Sequence, residues 1–162
     1  KTLIMCSVPY DERPYRPCVG IFLINDVKQV FGGRRIDSPA EAWQMPQGGI
    51  DPGETAIDAC MREMGEEIGT TSAEFLCEHN EWLHYDIPSP LADRLWQGKY
   101  KGQKQKWMAL RFTGSDSDIN IDTPIPEFCE WRWLAPSELV NLAVPFKRDV
   151  YVNVLDAFKT LV

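Results

Sequence analysis

Three glutamates in one short stretch, Glu63, Glu66 and Glu67, carry the clearest chemistry in this 162-residue chain. They lie in a segment from about Glu54 to Gly69 whose apolar residues Ile57, Met61, Met64 and Ile68 repeat at helical spacing. At about 100° per residue those four share one face, the expected core stripe, and the glutamates gather on roughly the opposite side. Carboxylates at i, i+3 and i+4 repel one another, and Arg62, which can pair with Glu66, cannot neutralise all of them. A hard divalent cation such as Mg²⁺ takes oxygen ligands, so it would convert this repulsion into a binding site. Ahead of the helix, Gly48-Gly49 and Pro52-Gly53 permit tight turns and close backbone approach. An acidic trio alone is most simply a solvated helix face. The spacing around it argues otherwise.

Gly48, Glu54, Arg62, Glu63, Met64, Glu66, Glu67 and Gly69 fit the pattern G-x5-E-x7-R-E-U-x-E-E-x-G, U being an aliphatic-type residue. Eight defined positions at fixed spacing form a specific signal, and it resembles the Nudix box, here at about residues 48–70. Thr70 departs from the aliphatic residue usual at that place, but it lies at the helix exit, away from the carboxylates. Further segments resemble one Nudix branch, that of bacterial RNA pyrophosphohydrolases and plant-type diadenosine tetraphosphate hydrolases. They are Tyr15-Arg16-Pro17, Trp43 to Asp51, Gly102 to Trp107, Pro126-Glu127-Phe128 with Trp131 and Trp133, and Phe146 to Tyr151. The resemblance covers about Tyr15 to Phe158.

That resemblance implies a metal set of Glu63, Glu66, Glu67 and Glu127, with Mg²⁺ as cofactor and Mn²⁺ as a substitute. It implies catalytic roles for Glu66, Glu67 and Glu127, with Glu67 or Glu127 as the base, and it does not choose between them. Arg62 is expected to orient the glutamates, Glu54 to close the loop at the helix start, and Gly48 and Gly49 to shape the turn. Arg16, Arg34, Arg35, Tyr85, Lys104, Lys106 and Lys147 match positions where the branch places groups for phosphates or the nucleoside. A polyphosphate needs Lys and Arg for charge-assisted hydrogen bonds, and a base needs planar groups for stacking. Strand alternation puts Lys104 and Lys106 on one face, from which both could reach one cleft. Trp43, Trp131 and Trp133 flank apolar strands and read as core or cleft wall.

These residues need a scaffold. Cys18 to Ile24 is an apolar run with the composition of a buried strand, and Lys28 to Ile36 follows an Asn25-Asp26 turn as its partner. Strands are expected at Ala73–Cys77, Trp82–Ile87, Gln105–Phe112 and Cys129–Leu134, with a short helix capped by Ser137 and a helix over Lys147–Leu161. The order fits an α/β protein, and the resemblance implies the Nudix fold, a mixed β-sheet sandwiched between helices, as one domain over residues 1–162. With 44% hydrophobic residues the chain can bury a core. No apolar run reaches membrane-helix length, and Lys1 to Cys6 is too short an apolar stretch for a secretion signal. Seventeen basic against 24 acidic residues give a net charge of −7, which argues against a charge-driven DNA or histone-like binder. An enzyme whose metal ions supply positive charge remains open. Five scattered cysteines without a C-x-x-C pair suggest reduced thiols in the cytoplasm, and His79 and His84 lack metal-site spacing.

The expectation is a cytoplasmic, Mg²⁺-dependent pyrophosphohydrolase acting at nucleoside 5′ ends. Its expected substrate is 5′-triphosphate RNA, with asymmetric cleavage of diadenosine tetraphosphate to ATP and AMP as the alternative, which the long Asp37 to Ala42 loop favours. A nucleotide-binding Nudix module without catalysis ranks third, because all four glutamates are present. No membrane partner is expected, and no oligomeric state follows from the sequence.

Overall fold

The computed structural model describes residues 8–38 and 42–162. The Lys1 to Cys6 stretch and positions 39–41 of the long loop lie outside the described residues. Among the described residues the strands in chain order are β1 (Tyr15–Ile24), β2 (Val30–Arg35), β3 (Trp43–Gln44), β4 (Gln47–Gly49), β5 (Ala73–Glu78), β6 (Leu83–Asp86), β7 (Gly102–Phe112) and β8 (Phe128–Leu134). The helices are α1 (Ala56–Ile68), α2 (Ser89–Ala92), α3 (Pro136–Leu142) and α4 (Arg148–Ala157).

All eight strands join one mixed sheet, in the order β3-β2-β1-β7-β5, with β4 on β1, β6 on β7 and β8 on β2. The β1–β7 pair is parallel, running from Tyr15 opposite Gly102 to Ile24 opposite Arg111, and the other pairs are antiparallel. Cys18 to Ile24 is buried throughout, as a central strand with helices on both faces requires. On one face Phe22, Ile24, Trp107 and Ala109 cluster with Leu139 of α3 and Val150, Tyr151 and Val154 of α4. On the other, Val19, Ile21, Leu23, Met108 and Leu110 cluster with Ala59, Cys60, Met64 and Ile68 of α1. The helix–sheet–helix layering agrees with the sequence expectation. Among the described residues no helix is long and apolar enough to cross a membrane.

Three local expectations need correction. Ile57 is 36% exposed, and α1 buries Ala59, Cys60, Met64, Glu67 and Ile68. The buried face is therefore turned from the purely apolar stripe toward the carboxylates, which takes Glu67 out of solvent. The short helix starts one residue before Ser137: Pro136 takes the first position, where its missing N–H is harmless, and Glu138 Oε1 accepts from the Ala135 N–H at 3.3 Å. Strand β7 begins at Gly102 rather than Gln105, because parallel pairing with β1 continues back to Tyr15.

Candidate active site

The site is assembled along α1 and the loop that joins it to β4. Thr55 caps the helix by accepting from the Asp58 N–H at 3.2 Å. Arg62, in the second turn, ties the loop to the helix. It donates to both oxygens of Glu54 at 2.8 Å, to the Gly49 carbonyl at 2.8 Å, to Glu63 at 2.8 Å and to Glu66 at 3.3 Å. This paired geometry holds the Glu54 carboxyl down at about 2, chiefly through the Arg62 hydrogen bonds and then the Asp51 N–H. The structure thus brings Glu54 and Arg62 together between the loop and the helix. A lysine offers three donors from one point, where Arg62 uses a planar fork to bond several acceptors. Arg62→Lys is therefore expected to lose several degrees of Tm and to lower turnover; wild-type Tm and turnover would count against the orienting role.

Glu63 and Glu67 are largely withdrawn from water, with Glu63 at 13% side-chain exposure and Glu67 at 6%, while Glu66 stays 58% exposed. Burial pushes the Glu63 carboxyl above the usual range, against the pull of Arg62. Glu67 is raised further: burial is the largest cause, followed by the Glu63 and Glu127 carboxylates. The Gln47 N–H, donating to Glu67 Oε2 at 3.3 Å, opposes the rise only in part. Glu127 comes from the far side, just ahead of β8, so carboxylates from distant segments face one cavity. Among the described residues no three of them close around a common point as a finished metal cage. Their chemistry nevertheless fits a hard cation: oxygen donors, two of them buried, whose mutual repulsion a bound ion would relieve.

The cavity is about 640 Å³ and takes in Arg16, Arg35, Tyr85, Lys147 and the four glutamates. Arg35 donates to Asp37 at 2.8 Å through two nitrogens and to Gln44 Oε1 at 3.1 Å. Tyr85 donates to Gln103 at 2.7 Å and stacks on Phe146. Lys147, at the entry to α4, donates to Gln44 at 3.0 Å and is buried. Burial, with Arg35 next, lowers its pKa to about 7, Glu67 pulling the other way.

Lys104 and Lys106 are not brought into this cavity. They share one sheet face as alternation requires, but that face is opposite to Gln103 and Gln105, and both ammonium groups lie over the Trp82 ring. Lys106 also donates to the Asn80 carbonyl at 3.0 Å. Arg34 donates to Glu130 at 3.2 Å. Trp43 is buried in one core cluster, and Trp131 packs against the other, stacked on Phe31, so both are core residues and not cavity lining.

Sequence reasoning passed over the glutamines. Gln105 donates to Gln47 at 2.8 Å and to Gln103 at 3.0 Å, while accepting from the Trp107 indole at 3.1 Å. A chain of amides therefore floors the cavity. Its signal was in the strand parity, since Gln103 and Gln105 share the inward face with Trp107 and Ala109. Trp96, which lines the cavity beside Arg16, gave no periodic signal at all.

The Lys147 titration gives a stability prediction for metal-free protein. Between about 7 and its unfolded value near 10.5 the unfolded chain holds the lysine proton and the fold does not, so stability rises with pH across that window. Lys147→Met should raise the Tm of metal-free protein at pH 7 by several degrees, and the gap should narrow toward pH 10. A gap that is absent, or widens with pH, would contradict the buried-lysine account.

A mixed sheet between helices, with a glutamate-bearing loop–helix unit under a polyphosphate-sized cavity, defines a class of protein. The chain belongs to the NUDIX domain family, whose domain model matches residues 14–154. Within it, an RNA pyrophosphohydrolase of Roseobacter denitrificans is 55% identical over 148 residues, 90% of this chain and 92% of that protein. The RNA pyrophosphohydrolase of Rickettsia typhi is 50% identical over 156 residues, 96% of this chain and 97% of that protein. Among solved structures, Escherichia coli dihydroneopterin triphosphate pyrophosphohydrolase superposes with a TM-score of 0.66 at 21% identity, covering 87% of this chain and 97% of that one. A Caenorhabditis elegans Ap4A hydrolase does so with a TM-score of 0.64 at 19% identity, covering 90% and 99%. At such identities these two speak to the fold alone.

Proposed function

We propose that this protein hydrolyses the phosphoanhydride at the 5′-triphosphate end of RNA, adding water and yielding pyrophosphate and a 5′-monophosphate end. The observation that carries the reading is about half identity, along nine-tenths or more of the chain, to proteins named RNA pyrophosphohydrolase. The site supports it with the parts such a reaction needs: a clustered carboxylate set, cationic groups in the same cavity, and amide and aromatic walls. Glu63, Glu66, Glu67 and Glu127 are the residues that would hold divalent metal, Mg²⁺ in this reading with Mn²⁺ as a substitute. When bound, the metal would offset phosphate charge and make water easier to deprotonate.

The remaining work falls to the chain. Arg62 holds Glu63 and Glu66 in place from behind. Burial, with the Glu63 and Glu127 carboxylates next, raises the basicity of the Glu67 carboxyl, which suits it to accept the proton of the attacking water, with Glu127 facing the same cavity as the alternative base. Arg16, Arg35 and Lys147 face the phosphates, and the wall of Tyr85 and Phe146 receives the nucleoside. Lys104 and Lys106, on the opposite sheet face, are assigned to RNA beyond the first nucleotide. The unpaired cysteines among the described residues, Cys18, Cys60, Cys77 and Cys129, accord with a cytoplasmic enzyme meeting RNA there.

Product analysis tests this reading. RNA labelled in its terminal phosphates should yield pyrophosphate and a 5′-monophosphate end with Mg²⁺, and nothing with chelator. Release of orthophosphate, or turnover that chelator leaves intact, would overturn it. Metal binding carries its own prediction. Because burial and the neighbouring carboxylates raise the Glu67 carboxyl above its usual range, Mg²⁺ competes with a proton there, so metal affinity rises with pH. The Mg²⁺-induced rise in Tm should therefore be larger at pH 8.5 than at pH 6, and an equal or reversed dependence would contradict it.

A further inference from the structure

The segment after α2 holds Trp96 at φ 46°, ψ 38° and Gln97 at φ 59°, ψ 29°, both in the left-handed region. Among the described residues the only other non-glycine with positive φ is Lys28, in a turn. A bulky aromatic in this conformation is a true outlier, and it persists where the surroundings enforce it and something is gained by it. The surroundings are on view. Arg13 braces the segment by donating to Asp93 at 2.6 Å, and Tyr100 meets the indole edge-on.

The consequence of the bend is where the indole lands. The Arg16 guanidinium lies 4.8 Å from the Trp96 ring centroid, and on another side it fills the space over Gly49, where a Cβ would collide with it. Arg16 donates to Cys18 Sγ at 3.4 Å and makes no ion pair among the described residues, although Glu63 lines the same cavity. A guanidinium seated on an indole face and a glycine is fixed in orientation, yet its in-plane N–H groups stay available. A phosphate takes such an edge with paired hydrogen bonds.

We propose that Trp96 is a positioning residue, whose strained backbone places the indole to hold Arg16 in the orientation that engages the substrate's polyphosphate. The inference rests on the reading of Arg16 as a phosphate-binding residue. It separates Trp96 from the base-stacking role that an aromatic in a nucleotide cavity would otherwise suggest.

A double-mutant cycle tests it, with kcat and KM measured on 5′-triphosphate RNA for Arg16→Ala, Trp96→Leu and the double variant, folding being followed by circular dichroism. Arg16→Ala should raise KM about tenfold or more, Trp96→Leu should raise it by a similar factor with little change in kcat, and the double variant should be no worse than Arg16→Ala. Trp96→Phe, which keeps a smaller π face and guards against a poorly folded Leu variant, should fall between wild type and Trp96→Leu. If the two KM penalties multiply in the double variant, the indole acts on its own and the proposal fails. It fails equally if a folded Trp96→Leu, or Trp96→Phe in its place, binds RNA like wild type while Arg16→Ala does not. A normal KM for Arg16→Ala would instead remove the underlying reading of Arg16, and the proposal with it.

Discussion

Glu67→Gln is expected to leave a folded protein whose turnover of 5′-triphosphate RNA has fallen by roughly 10³-fold or more. The substitution keeps the shape and the contact with the Gln47 N–H but removes a charge that sits almost wholly out of water between Glu63 and Glu127. For the metal-free fold this removes an electrostatic burden, so its Tm should be unchanged or higher. For the proposed reaction it would remove both an oxygen that holds the metal and a candidate proton acceptor. The stability and activity effects thus point in opposite directions, as expected where a fold tolerates a costly group for function. Turnover within tenfold of wild type, with intact circular dichroism, would take Glu67 out of the site.

Gly48→Ala is the second large effect, and it acts without replacing a charged residue. Gly48 lies in β4 with a backbone that any residue can adopt, so conformational strain plays no part. A Cβ there would collide with the Glu63 carboxyl, which packs flat against the bare backbone. The side chain must swing off its 2.8 Å bond to Arg62 and away from the cavity. Turnover should fall by about 10²-fold, since small displacements at a reacting centre are costly, with a loss of only a few degrees in Tm. In a Glu63→Ala background the same substitution should cost turnover nothing more, because the group it displaces is gone. Additive losses would show that Gly48 acts through something other than Glu63.

The sequence made the acidic cluster readable because fixed spacing survives without any knowledge of tertiary contacts: Arg62, Glu63, Glu66 and Glu67 stand on a helix whose period is known. It misjudged which way that helix turns. Apolar count alone favours Ile57 as a core residue, but the cavity draws Glu67 inward, and the buried face rotates with it. Strands β3 and β4 escaped notice because two or three residues among prolines and glycines carry no period; they exist through pairing with β2 and β1. The parity of β7 was read correctly for Lys104 and Lys106, yet nothing local says which face holds the cavity, and it is the face of Gln103. Trp96 lies further beyond reach, since tryptophan and glutamine are poor choices for a left-handed bend and only Arg13, Arg16 and Tyr100, distant or unpatterned in the chain, account for it. Substrate preference was read more nearly right: RNA was the expected substrate although the length of the 37–42 loop favoured a dinucleoside polyphosphate, and similarity along nine-tenths or more of the chain supports RNA.

The central claim meets its most direct test in a competition between substrates. With Mg²⁺ present, kcat/KM would be measured for 5′-triphosphate RNA and for diadenosine tetraphosphate on the same preparation, with Glu67→Gln as the control for contaminating activity. The account predicts the higher kcat/KM on RNA, with pyrophosphate as the released product and neither substrate turned over by the variant. Faster formation of ATP and AMP from the dinucleotide, with triphosphate RNA left essentially intact, would contradict it.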